Sequence, residues 1–277
     1  MVADRTALDA QKFMADPPAG GASGEPQTAF ESGWSSPRTC PELSSDEIHV
    51  WSAGLDELVS DLPEFAVLLS DSERKRAKRF QFDLDRNRFI IRHGLLRMLL
   101  SRYLNIEPAS LAFAYESRGK PIVSAPGLRP LFHFNLSHSN GLALIAATRQ
   151  APVGVDVERA RFVAEADQIA AKFFSPHEVA ILNAIPEEQK MEAFFNCWTR
   201  KEAYLKATGE GIADALPRIE VSLTPGQPAR LLKIHGDARA ASLWKLSGLA
   251  PAPGFVGALA IKADSLRLSC WRWSRTH

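Results

Sequence analysis

The chain has 277 residues, enough for one large domain or two of ordinary size, and its 45% apolar and 23% charged content is that of a soluble globular protein. Lys and Arg (33) nearly balance Asp and Glu (32), and the net charge of +1 excludes a protein whose main task is to grip nucleic-acid phosphates. No apolar run is long enough to span a bilayer, no basic stretch followed by an apolar core opens the chain, and Cys40, Cys197 and Cys270 have neither metal-site spacing nor an even count. A reducing, cytoplasmic setting is therefore expected, with neither a membrane nor nucleic acid as partner.

Residues 1–45 read as a disordered or loosely attached tail. Fifteen of the thirty-one residues from Asp16 to Asp46 are Pro, Gly or Ser, and such a segment buries too little apolar surface to offset its ordering entropy. Phe30 and Trp34 are its candidates for docking. A short strand, EIHVWSA, opens the folded part. Ser70–Glu73 (SDSE) and Ser175–Glu178 (SPHE) are capping boxes, in which the serine accepts from the third helical N–H and the glutamate bonds back. Pro176 takes the first helical position, where its missing N–H does no harm. The boxes lie 105 residues apart. Each leads through a short helix into a longer amphipathic one, about 85–104 and 187–207, and the same offset sets Phe89 on Phe194 and Arg97 on Glu202. Strand-like runs (LAFAYES, LFHFNLS, LALIAATR, VGVDVE) fill 111–158, and others (RIEVSL, ARLLKIH, ASLWKLS, FVGALAI, LRLSCWRW) fill 218–273. The pattern predicts an α+β protein. It is a pseudo-twofold pair of similar subdomains, 46–152 and 153–277, each a small, mostly antiparallel sheet packed on a long helix. The seam between them is the natural place for a site.

Four segments carry candidate chemistry. In NCWTRKEAYLKATGEG (196–211), Trp198, Glu202, Leu205, Lys206 and Gly209 share one helix face. Trp198, Leu205 and the Lys206 stem suit a sheet, and Glu202 with the Lys206 ammonium suits the edge of a cleft. An exposed i,i+4 ion pair is the plain alternative. PVGVDVERA puts Asp156 and Glu158 on one side of a strand and Val153, Val155 and Val157 on the other. Paired carboxylates persist either in full solvent or around a hard cation such as Mg²⁺, with Glu202 as a third ligand if the helix crosses the strand end. SRGKP (117–121) places Lys120 in a tight turn, and FNLSHS (134–139) ends a strand with Ser137 and His138. Side by side these groups suit a phosphate, although a solvated turn lysine and a satisfied polar histidine are the ordinary readings. The basic run ERKRAKRF (73–80), followed by Arg86, Arg88 and Arg92, is by default a solvated face, from which a guanidinium can still match a phosphate.

VGVDVE followed about forty residues later by WTRKEAYLKATGEG, with RGKP and NLSHS before them, resembles the 4′-phosphopantetheinyl transferases, in particular the long two-half class that serves secondary-metabolite synthases. The resemblance covers about 47–225. It implies a monomeric enzyme that uses coenzyme A as co-substrate and Mg²⁺, with Mn²⁺ as an alternative. The phosphopantetheine arm moves onto a serine hydroxyl of an apo acyl or peptidyl carrier protein of polyketide, peptide or fatty-acid synthases, and adenosine 3′,5′-bisphosphate leaves. By position, Asp156, Glu158 and Glu202 match the metal carboxylates, and Glu202 also matches the base. Lys206 matches the lysine that assists at the pyrophosphate. Lys120, Pro121, Ser137 and His138 match coenzyme A contacts, with Arg76, Arg79 and Arg88 as further candidates. The first half would be the coenzyme A side, and the second would carry the carboxylates and the catalytic helix. Two other classes compete: a metal-dependent phosphodiesterase or nuclease, and a non-catalytic module that binds coenzyme A or a carrier protein. Near-neutral charge and the four-residue spacing of Glu202 and Lys206 weigh against the first, and the full carboxylate set weighs against the second.

Overall fold

A computed structural model describes residues 33–116, 119–124, 132–210, 215–265 and 267–274. Most of the expected tail, the first two residues of the SRGKP motif and Gly211 lie outside these residues. The described chain is α+β, with two sheets, two hairpins and seven α-helices among the described residues.

The first sheet has five strands. Its outer edge is β1 (Trp34–Ser35), so the expected tail gives up its last residues to the fold, and Leu43 is buried as well. β2 (Glu47–Gly54) pairs with the later strand β6 (Leu142–Thr148), and β6 pairs with β5 (His133–Ser139), all antiparallel. The second sheet is antiparallel, with β11 (Phe255–Lys262) between β7 (Val153–Arg159) and β10 (Trp244–Leu249). Both sheets thus place the last of three antiparallel strands, β6 or β11, between the other two.

The helices repeat the same plan. In the first half, α1 (Leu62–Leu68) and α2 (Asp71–Ala77) precede α3 (Asp83–Leu104). In the second, α4 (Ala166–Phe173) and α5 (Pro176–Ala184) precede α6 (Glu187–Thr208). Both capping boxes form, at Ser70 with Glu73 and at Ser175 with Glu178. A hairpin follows each long helix: β3 (Ala112–Tyr115) with β4 (Pro121–Ser124), and β8 (Ile219–Val221) with β9 (Leu231–Ile234).

Each capping glutamate meets a cation from the long helix behind it. Glu73 accepts from Arg97 at 2.8 Å, and Glu178 pairs with Lys201 at 2.6 Å, both of the latter fully buried. Arg97 also donates to the carbonyls of Pro108 and Leu111, and Lys201 to those of Phe173 and Leu216. The residue equivalent to Arg97 is therefore Lys201, not Glu202. The boxes are 105 residues apart, but the helices start 104 apart, because the short helix and its link differ in length between the halves.

Two further strand readings change. The first two residues of ASLWKLS (241–247) instead end a short helix, α7 (Ala238–Ser242), capped by Asp237, whose carboxylate accepts from the N–H groups of Arg239 and Ala240, and the rest of the run enters β10. The last strand, β12 (Arg267–Arg272), leaves the second half and pairs in parallel with β2. It covers an edge that would otherwise expose unpaired backbone groups, and it brings Trp273 against Trp51, ring centroids 5.9 Å apart.

Among the described residues, three large apolar clusters hold these layers together. One lies between α3 and the first sheet, with Trp51, Phe65, Leu95, Leu99 and Ile145. A second surrounds α6, with Phe173, Phe194, Phe195 and Trp198. The third joins the backs of the two sheets: Ile48, Val50, Leu144 and Ala146 meet Val153, Val155, Val157, Leu259 and Ile261. The valines of VGVDVE point into a core as the alternation required.

Candidate active site

The site forms where β5, the edge of the first sheet, runs beside β7, the edge of the second. Asn135, Ser137 and Ser139 alternate along β5 and reach across. The Asn135 Oδ1 accepts from the Val155 N–H at 2.9 Å, Ser137 donates to Asp156 at 2.8 Å, and Ser139 donates to Glu158 at 2.8 Å. The side chains at i and i+2 of one strand thus serve those at i and i+2 of the other.

The long helix α6 lies directly on β7. A Cβ placed on Gly154 would stand 2.0 Å from the Ala203 carbonyl oxygen and 2.4 Å from the Ala207 nitrogen. Only glycine lets the helix and strand backbones touch there. Trp198 anchors the same helix by packing against Phe173 and Phe194, at 6.0 and 6.4 Å between centroids. One turn beyond Trp198 comes Glu202, and one turn further Lys206, which brings its ammonium to Asp156 at 2.6 Å and to Ser137 at 3.0 Å. The plain alternative, an exposed i,i+4 pair, does not form: Glu202 is only 6% exposed, and Lys206 bonds Asp156.

The electrostatics are those of a crowded acidic site. Burial, and then the neighbouring Asp156, push the Glu202 carboxyl up to about 7 against the pull of Lys206. Burial alone would lower the Lys206 ammonium, yet Asp156, Glu202 and Glu158 hold it above its ordinary value. One oxygen of Asp156 and one of Glu202 are buried with no hydrogen-bond partner. An orphaned buried carboxylate oxygen is costly, and one on each of two neighbouring carboxylates is the donor chemistry a hard divalent cation takes. Among the described residues no three His, Cys, Asp or Glu side chains are gathered closely enough to cage an ion as they stand. Lys206 supplies positive charge to Asp156 instead.

Cations line the other end of the groove. His138 follows Ser137 on β5 and is exposed at its outer edge. Crowding around the ring, then the positive charges of Arg92, Lys206, His93 and Arg88, lower its pKa. Arg92 is 9% exposed, and burial together with Arg76 lowers its pKa to about 10. Arg76 and Arg92 stand over the Phe89 ring at 5.4 and 5.0 Å. Arg76 and Arg79 also line an open pocket of about 540 Å³ with Ser72, Lys75 and Phe80.

Two expected contacts are engaged elsewhere. Arg88 makes a two-point bond to Asp56, at 2.7 and 2.6 Å. Lys120 donates to the carbonyls of Val153 and Ala207, at 3.2 and 2.9 Å. Pro121, next to it, opens β4 opposite Tyr115. Sequence reasoning passed over Ser139, Gly154 and the importance of Arg92. Alternation from Ser137 along NLSHS was the available signal for Ser139, and the one small residue in VGVDVE was the signal for Gly154.

A groove with cations along one wall and acids with a lysine at the seam is built for a polyanionic substrate and proton transfer beside it. The chain matches the 4′-phosphopantetheinyl transferase superfamily over residues 152–260 and the N-terminal region of 4′-phosphopantetheinyl transferases over 56–150. It is 42% identical to the 4′-phosphopantetheinyl transferase HetI of Nostoc sp. over 231 residues, covering 83% of this chain and 94% of that protein. It is 36% identical to the 4′-phosphopantetheinyl transferase psf-1 of Bacillus pumilus, over 59% of this chain and 67% of that one. It is 31% identical to the 4′-phosphopantetheinyl transferase Sfp of Bacillus subtilis, over 57% and 68%. The chain therefore belongs to the 4′-phosphopantetheinyl transferase family of enzymes.

Proposed function

We propose that this enzyme moves the 4′-phosphopantetheine arm of coenzyme A onto a serine hydroxyl of an apo acyl or peptidyl carrier protein, releasing adenosine 3′,5′-bisphosphate. The observation that carries this reading is geometric: Lys206 reaches Asp156 at 2.6 Å and Ser137 at 3.0 Å, and the buried Glu202 lies one helical turn before it with a carboxylate oxygen that has no hydrogen-bond partner. The Glu202 carboxylate can take the serine proton as the new oxygen–phosphorus bond forms and the phosphoanhydride bond breaks, an effect typically worth about a hundredfold or more. Lys206 reaches from the helix to the same point and stabilises the negative charge that grows on the leaving phosphate.

Asp156, Glu158 and Glu202 would hold a divalent cation, Mg²⁺ or Mn²⁺, through the oxygens that now have no partner or bond Lys206 and the serines. When bound, such an ion neutralises pyrophosphate charge. On the first-half wall, His138 with Arg76, Arg79 and Arg92 would receive the nucleotide phosphate of coenzyme A, and Ser137 and Pro121 would edge the same channel. Arg88, tied to Asp56, adds positive field near His138. The halves then divide the work, with 46–152 holding coenzyme A and 153–277 carrying the acids and the base.

The test is the intact mass of an apo carrier protein incubated with coenzyme A, Mg²⁺ and this enzyme. One phosphopantetheine arm is expected on its serine, and none with Asp156→Ala. No gain on any of several carrier proteins with the wild type would refute the reading.

A further inference from the structure

Lys120 sits at the end of a tight turn. The Gly119 N–H donates to the Glu116 carbonyl at 2.8 Å, and Gly119 adopts φ +87°, a conformation open to glycine. The turn leans on the end of α6: a Cβ on the capping Gly209 would meet the Glu116 carboxylate at 3.2 Å. From this turn the Lys120 side chain runs inward and divides its ammonium between two backbone carbonyls of the other half. Ala207 contributes one of the unpaired carbonyls that end every helix, where a cation is also favoured by the helix dipole. Val153 contributes the first carbonyl of β7.

These two carbonyls flank the point of backbone contact at Gly154. Ala207 follows Lys206, and Gly154 follows Val153 and lies two residues before Asp156. A single ammonium thus ties together the two backbones that set the Lys206–Asp156 distance, and it does so from the opposite half of the molecule. We propose that Lys120 is a positioning residue: it pins the last turn of α6 to the start of β7 and so holds Lys206 and Glu202 over Asp156, with its ammonium committed to these carbonyls and not to coenzyme A. The inference rests on the transferase reading for its kinetic consequences, but its structural core does not.

The experiment compares the full chain carrying Lys120→Met or Lys120→Arg with the wild type in three measurements: kcat and KM for coenzyme A, calorimetric affinity for coenzyme A, and amide hydrogen exchange across 203–210. A displacement of about 1 Å at a reacting group can cost a hundredfold. Lys120→Met is therefore expected to lower kcat by about ten- to a hundredfold, with coenzyme A KM and affinity within about threefold of wild type. Exchange across 203–210 should quicken. Lys120→Arg, still able to reach both carbonyls, should recover most of the rate. A tenfold or greater loss of coenzyme A affinity with kcat retained would overturn the proposal and make Lys120 a substrate contact. Unchanged kinetics and exchange would overturn it too. If the wild type modifies no carrier protein, the transferase reading fails separately, and the exchange comparison still decides whether Lys120 pins the helix. If Lys120→Met does not fold, Lys120→Arg decides by the same readouts: it must keep wild-type exchange and at least a tenth of wild-type kcat, and a greater loss counts against the proposal.

Discussion

The two halves share a plan and differ in what they place on it. Each has a capping glutamate bonded to a cation of its long helix, a hairpin after that helix, and three antiparallel strands of which the last in the chain lies between the other two. Where β7 turns Gly154, Asp156 and Glu158 away from the valine core, β2 turns Trp51 and Ala53 into the apolar cluster under α3. With the long helices superposed by their first residues, Glu202 matches Met98 and Lys206 matches Arg102. The first half is thus a filled version of the second. The acids survive only on the side where β5 and its serines lie alongside to satisfy them. A duplicated fold can give one copy to packing and leave the other free to bury unsatisfied charge.

The comparison is first broken at the paired capping glutamates. Lys201→Met leaves Glu178 fully buried without its counter-charge and should cost about 3–5 kcal/mol. Arg97→Met leaves Glu73 with Ser70 and His93 and some exposure, and should cost about 2 kcal/mol. Urea midpoints at constant slope would measure both, and equal losses would mean that the halves are not held differently.

Acid sharpens the same contrast. Burial alone would raise the Glu73 carboxyl, but hydrogen bonds from His93, Ser70 and Arg97 hold it down to about 2. A folded-state value below the unfolded one stabilises the protein above about pH 4.5, and that stability drains away as the pH falls toward 2. The stability gap between wild type and Glu73→Gln should therefore be about 2 kcal/mol near pH 6, after discounting for partial exposure, and should shrink towards zero by pH 2. A gap that holds steady from pH 6 to pH 2 would contradict this role for Glu73.

Much of this was readable in the sequence. Both long helices begin and end within two residues of the expected bounds, where Asp or Glu in the first turn and an Asn or Gly just past the last mark them. The carboxylate pair on β7 followed from the alternation of VGVDVE. Partners chosen by tertiary contact stayed hidden. Lys120 looked like a solvated turn residue because its acceptors lie 33 and 87 residues away. Arg88 looked free because Asp56 is 32 residues distant. The last strand read as part of the second half, since nothing local says which sheet edge a strand will cover. The one-residue slip that set Arg97 on Glu202 arose in the links between helices, where no periodicity carries the count.

The central claim is that catalysis resides in one half only, and the most direct measurement is the single-turnover rate of transfer to an apo carrier protein at saturating coenzyme A and Mg²⁺. It should be made for Glu202→Gln and for Met98→Gln at the matching position of the first half. Glu202→Gln should fall by about a hundredfold or more, the loss typical of a removed general base, and Met98→Gln should stay within about twofold of wild type. Comparable losses from both, or a Glu202→Gln enzyme that transfers normally, would contradict the account.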